Sequence, residues 1–336
     1  MPIAIVTGAS SGIGKEFIKQ ISLMRSSYGS RPFYEIWAIA RDENKLQDLQ
    51  AECDDDRIIP VLLDLTSSED LKKLESLLLQ KTPEIGFLVQ CAGSGKTGQV
   101  KDQALENIRE TIEVNCLALA EITRICMPYM IPLGNDCNAK NGPRILHVAS
   151  SSAFFPQPDF AAYAASKAFA VHFTRAIRHE LRENNILVTT LCPGPVDTPF
   201  MEQASGVPGA KHEGIKAYFV ASPSKLVKKS IHKSERGKDL YIYGISQKLL
   251  YFGSRILPHR FLSWICQQFG KEGDFISSDL INQSNVQSLP VMIPQNIPEK
   301  NIQTSSDLIY QKTTQDVQNR VYTSDSAKKI IKKYTT

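Results

Sequence analysis

The chain has 336 residues, 42% of them apolar and 22% charged, with a formal net charge of +4. That length suits one large α/β domain or two modest ones, and the composition is that of an ordinary globular protein. So small a net charge gives no basis for nucleic acid or an acidic polymer as partner.

In chain order, the first apolar run is IAIVT (3–7), directly after Met1 and Pro2. No charged segment and apolar stretch precede it, so no secretory leader is expected. No apolar run reaches the roughly 18–20 residues that span a bilayer, and a cytoplasmic protein is expected. Next comes GKEFIKQISLM, where Phe17, Ile18, Ile21 and Met24 keep helical spacing. SSYGSRPFY (26–34) reads as a surface insertion. Further runs are EIWAIA (35–40), IIPVLL (58–63), GFLVQC (86–91), RILHVA (144–149), ILVTTL (186–191) and DLYIYG (239–244). They are nearly continuous in apolar residues, as strands covered on both faces are. Alternation with amphipathic stretches predicts an α/β fold. The expected form is a single doubly wound parallel sheet of about seven strands, a Rossmann fold, with helices on both faces and right-handed crossovers.

Residues 246–270 read as an amphipathic helix broken at Pro258, expected first to pack within the protein, with covering the substrate mouth, joining subunits or lying on a membrane surface as alternatives. From residue 271 the chain is rich in Ser, Thr, Asn and Gln and carries Pro290, Pro294 and Pro298. We therefore expect a folded domain over 1–270 and a polar, largely disordered tail over 271–336, with a short helix in SDSAKKIIKKYTT. The seven cysteines, Cys53, Cys91, Cys116, Cys126, Cys137, Cys192 and Cys266, form no C-x-x-C pair. They read as buried thiols in a reducing compartment. No zinc-type spacing is visible and no metal site is expected.

TGASSGIG (7–14) lies between the first strand and the first helix. A glycine turn there brings backbone N–H groups and a helix N-terminus to a phosphate. Gly8 allows the tight turn, Gly12 lets a pyrophosphate approach, and Gly14 lets helix and strand pack. Ser10 and Ser11 add hydroxyl donors. Downstream, YAASK puts Tyr163 and Lys167 four apart, on one helix face. An ammonium one turn away, together with an oxidised nicotinamide, is expected to lower the phenol pKa from about 10. Ser150 stands thirteen residues before Tyr163, at the end of a strand, where its hydroxyl can hold a substrate oxygen.

Together, TGASSGIG, DL (64–65), CAG (91–93), VNCLA (114–118), ASSSAFF, YAASK and CPGPVDT resemble the short-chain dehydrogenase/reductase family in order and spacing, over residues 2 to about 245. The resemblance implies Tyr163 as general acid/base, with Lys167 lowering its pKa and binding the nicotinamide ribose. It implies Ser150 as the carbonyl-orienting hydroxyl. Asn115 would hold a water that links Lys167 to solvent. For the cofactor it implies Gly8, Ser10, Ser11, Gly12, Ile13 and Gly14 at the pyrophosphate, with Asp64 and Leu65 at the adenine. Cys91, Ala92 and Gly93 would run beneath it, and Pro193, Gly194, Val196 and Thr198 would set the nicotinamide. The chain departs from the family's N-N-A-G, which here is QCAG; Gln90 and Cys91 put in question hydrogen bonds of the central strand.

The second strand ends at Ala40, where an NAD enzyme carries a carboxylate for the ribose 2′-hydroxyl. Arg41 follows, suited to a 2′-phosphate, and Asp42 fits a helix N-cap. The expected cofactor is NADP(H), with NAD(H) as the alternative. Phe154, Phe155, Phe160, Phe200, Met201, Tyr218 and Phe219 suggest an apolar pocket, with Lys211 and His212 on a lid. The expected substrate is a hydrophobic ketone or secondary alcohol, such as a steroid or long acyl compound, in a homodimer or homotetramer. The alternatives are a 3-oxoacyl thioester reductase and a catalytically silent NADP(H)-binding sensor.

Overall fold

The structure, a computed structural model, describes residues 1–25, 32–137, 142–210, 219–258 and 260. Lys211, His212, Tyr218, Cys266, most of the 26–34 insertion and the whole expected tail lie outside the described residues.

In chain order the elements are β1 (Ile3–Thr7), α1 (Gly12–Leu23), β2 (Ile36–Ala40), α2 (Glu43–Cys53), β3 (Ile58–Leu62), α3 (Ser68–Lys81) and β4 (Ile85–Gln90). Then come α4 (Leu105–Ile112), α5 (Leu119–Cys126), α6 (Ile131–Asn135), β5 (Arg144–Val148), α7 (Ala161–Glu180) and β6 (Leu187–Cys192). α8 (Phe200–Ser205), α9 (Pro223–Glu235), β7 (Leu240–Ile242) and α10 (Ile245–Ile256) complete them. The strands form one seven-stranded sheet, order β3-β2-β1-β4-β5-β6-β7, with every pairing parallel. The expected doubly wound sheet is present. β7 is shorter than its apolar run, because the chain turns at Gly244 into α10.

The two-residue period of the strands divides the core between the two faces of the sheet. Ala4 and Val6 pack with Phe17, Ile18 and Ile21 of α1, Leu46 and Leu49 of α2, and Leu226, Val227 and Ile231 of α9. Ile3 and Ile5 turn the other way, toward Leu71, Leu74 and Leu78 of α3, Ile122 and Cys126 of α5, and Ile177 of α7. Each fully buried large aliphatic contributes about 1.5–3 kcal/mol, so both helix layers are fastened by the same strands.

Gln90, one of the two departures in QCAG, keeps the central strand tied to its neighbours. Its amide nitrogen donates to the Leu119 carbonyl (3.1 Å) and the Thr123 hydroxyl (2.8 Å), and lies 3.2 Å from His147 Nε2. His147 Nδ1 meets the Thr174 hydroxyl at 2.8 Å. The cluster joins β4, α5, β5 and α7, and burial holds the His147 pKa down at about 3. Among the described residues no helix is long and apolar enough to cross a membrane.

β1 sits between β2 and β4, so the connections leave it in opposite directions. In such sheets a crevice opens outside the carboxyl ends of the strands at that reversal.

Candidate active site

A cleft of about 1890 Å³ runs along those carboxyl ends. The β1–α1 turn forms one wall. Gly8 has φ +67°, and a Cβ there would lie 2.8 Å from the Ala92 backbone. A Cβ on Gly14 would lie 2.1 Å from the Gly8 carbonyl oxygen. Only bare backbone lets this turn meet the segment after β4. Ser11 precedes α1 in extended conformation, and no side chain caps the helix. The first N–H groups of α1 are left to a ligand, at the positive end of its dipole.

The β2 end holds opposed charges. Asp42 caps α2, accepting from Lys45 N (3.1 Å), and pairs with Lys45 Nζ at 2.8 Å. Arg41 Nη1 lies 3.4 Å from Glu110 Oε1 and 3.8 Å from Asp64 Oδ2, with a mostly exposed side chain. Asp64 also accepts from the Thr66 N–H and hydroxyl, closing the turn after β3.

At the other end, Ser150 begins the turn after β5, its hydroxyl accepting from Ser152 N (3.1 Å). Tyr163 and Lys167 rise from one face of α7, both buried. Lys167 Nζ stands 5.6 Å from the Tyr163 ring centroid and donates to the Val148 carbonyl at 3.1 Å. Phe160 stacks on Tyr163 at 4.3 Å, and Phe200 leans on it at 5.3 Å. Burial pushes the Tyr163 pKa up to about 12, against the Ser150 hydroxyl, which lowers it. Burial pulls Lys167 down to about 8. In the protein by itself, desolvation outweighs the Ser150 hydrogen bond; the expected lowering also called on an oxidised nicotinamide.

The cleft is lined by Gly8, Ser10, Ser11, Gly12, Ile13, Gly14, Arg41, Asp64, Leu65, Cys91, Ala92 and Gly93, and by Ser150, Tyr163, Lys167, Pro193, Gly194, Val196 and Thr198. Asn115 stands behind this wall, in the π-helical turn Glu113–Ala118. Its Nδ2 donates to the Ser94 carbonyl (2.7 Å) and the Ser166 hydroxyl (2.8 Å), and its Oδ1 accepts from Ser94 N (3.0 Å). Its amide ties the loop after β4 to α7. Phe155, Phe160, Phe200, Met201 and Phe219 line the cleft. Phe154 instead packs edge-on against Tyr251 of α10, at 4.7 Å.

Sequence reasoning missed Glu110, which holds Arg41, and Gln157, whose buried Oε1 has no partner. Ser246, Gln247 and Leu250 bring α10 to the rim, in line with one reading of 246–270, but were not singled out individually. No local pattern marks them, because each reaches the cleft from a distant element. The cysteine reading holds in part: Cys116, Cys126 and Cys192 are buried, while Cys53, Cys91 and Cys137 are half-buried, and burial pushes Cys192 up to about 12.

A family model described as short chain dehydrogenase matches residues 2–206. A probable short-chain type dehydrogenase/reductase, VdlC, of Helicobacter pylori is 28% identical over 276 residues, covering 76% of this chain and 93% of its own. A 1-deoxy-11-beta-hydroxypentalenate dehydrogenase of Streptomyces exfoliatus is 31% identical over 211 residues, 62% of this chain and 72% of its own. Among solved structures, a short-chain dehydrogenase from Sphingobium yanoikuyae in complex with NADPH aligns with TM-score 0.60 and 22% identity, covering 83% of this chain and 98% of the other.

Proposed function

Since the chain belongs to the short-chain dehydrogenase family, whose members are oxidoreductases, we propose that it interconverts a ketone and a secondary alcohol on an apolar skeleton, using NADP(H). The observation that carries this reading is the meeting of Ser150, Tyr163 and Lys167 at one end of the cleft, with aromatic rings around the phenol.

The residues present fit a dinucleotide. The uncapped start of α1 and the side-chain-free turn at Gly8 and Gly14 suit a pyrophosphate. Asp64 and Leu65 would flank the adenine; Ala92, Gly93, Pro193, Gly194, Val196 and Thr198 would hold the nicotinamide half. Asp42 is already committed to the α2 cap and Lys45, so β2 presents no free carboxylate there for a ribose 2′-hydroxyl. Arg41 is the group at that end suited to a 2′-phosphate. Bound in this way, the reduced nicotinamide supplies a hydride to the carbonyl carbon.

The chain's own residues handle the oxygen. With a pKa near 12 the Tyr163 phenol is protonated at neutral pH and serves as the acid for the carbonyl oxygen. Ser150 orients that oxygen by hydrogen bonding. The Lys167 ammonium stabilises the phenolate left behind and holds the nicotinamide ribose. Asn115 acts as a positioning residue, fixing the Ser94 loop against α7. Phe155, Phe160, Phe200, Met201 and Phe219 favour a bulky apolar substrate. The Streptomyces relative, named for a hydroxypentalenate, supports a hydroxy compound as the reduced partner.

The test is a panel of steroid, aromatic and long-chain ketones and a 3-oxoacyl thioester, each with NADPH and NADH, read by loss of reduced-nicotinamide absorbance. Faster consumption with NADPH on bulky apolar ketones is expected. Consumption of neither cofactor with any of them would contradict the proposal.

A further inference from the structure

α10 is amphipathic in the opposite sense to the core helices. Ile245, Leu249, Phe252 and Ile256, spaced four, three and four residues apart, share one face. They are 77%, 67%, 65% and 66% exposed. The opposite face, turned to the protein, carries Gln247, which is buried, Ser254, whose hydroxyl donates to the Tyr251 carbonyl, and Tyr251 on Phe154. A contiguous apolar face of this kind marks a docking surface. One border is basic. Lys248 and Arg255 lie along the same edge of the stripe and exposed Arg260 follows it; between Asp239 and Glu272 the sequence contains no acidic residue.

We propose that this face of α10 docks on an anionic lipid bilayer, with the four apolar side chains entering the acyl boundary and Lys248, Arg255 and Arg260 meeting the headgroups. Apolar residues centred on the outer face with cations at the edge are the pattern of a helix lying in the interface plane. A second copy seated on the same stripe would bring these cations together with no acid of 240–271 to neutralise them. Ser246, Gln247 and Leu250 on the same helix line the cleft rim. On the reading of the cleft given above, docking therefore puts its mouth at the source of a membrane-dissolved substrate.

The test is co-sedimentation of the full-length protein with vesicles of phosphatidylcholine plus phosphatidylglycerol, and of phosphatidylcholine alone. The wild type is expected to pellet with the anionic vesicles and far less with the neutral ones. Leu249→Ser/Phe252→Ser should lose roughly tenfold or more in partition, and Lys248→Ala, a milder change, should weaken only the anionic preference. Thermal midpoints of the variants show that the fold is kept. Wild-type protein left in the supernatant, or a double variant that pellets equally well, would overturn the proposal. So would a double variant that only changes the oligomeric state in lipid-free sedimentation, since a second copy would then cover the face. The readout needs no substrate, so its failure leaves the dehydrogenase reading standing.

Discussion

Lys167 keeps its charge where water is nearly excluded, and the protein pays for it in stability. A fall from 10.5 to about 8 by burial corresponds to about 3 kcal/mol forgone while both folded and unfolded states are charged. Because the folded pKa is the lower one, that loss is full below pH 8 and recovers as pH rises toward 10.5. Lys167→Met should therefore unfold with about 1–2 kcal/mol more stability at pH 7, after about 1 kcal/mol is lost at the orphaned Val148 carbonyl. Denaturant titrations should show the gain shrinking toward pH 10; a destabilised variant at pH 7 would refute this. Arg41 is the second informative residue. It neutralises Glu110 and Asp64, so Arg41→Ala removes a phosphate partner and uncovers two carboxylates. NADPH affinity should fall by about 1.5–3 kcal/mol, roughly ten- to a hundredfold, and NADH affinity much less. Equal losses in titration calorimetry would remove the case for a 2′-phosphate site.

Among the elements, the strands with their glycine turn were the most legible, because each carries its reason locally: continuous apolar runs, then TGASSGIG between strand and helix. Tyr163 and Lys167 were legible as a pair because helical periodicity brings them to one face. The partners of Asn115 were not, since Ser94 and Ser166, which bond its amide, meet it only through the fold. α10 was half legible: its period was visible, but not which face turns inward. The burial that raises the Tyr163 pKa in the protein alone was not legible, because spacing says nothing about burial. The β4–β5 network yields a prediction of its own. His147 stays neutral in the fold down to about pH 3, against 6.5 when free. Stability is full above pH 6.5 and falls as pH drops toward 3, by about 1.4 kcal/mol per pH unit for this one proton. His147→Asn should start less stable, having lost ring contacts to Thr123 and Thr174, but show a shallower decline over that range. Parallel declines in denaturant titrations would exclude His147 as the cause.

For the whole molecule, the described residues that line the cleft come before Tyr251, and the described residues of the two core clusters on the sheet faces end at Tyr243. A chain ending at Gly270 should keep its turnover of a small ketone and its thermal midpoint. A large loss of either would place part of the catalytic unit in residues 271–336. The account as a whole rests on a proton passing from one phenol to the substrate oxygen. Its most direct measurement is turnover of Tyr163→Phe, with NADPH affinity measured alongside by fluorescence. The ring and its stacking on Phe160 remain in this variant, so NADPH should bind as to the wild type while kcat falls roughly 10²–10⁴-fold. A variant that retains more than about a tenth of the wild-type rate, against that expected loss, would show that Tyr163 is not the acid.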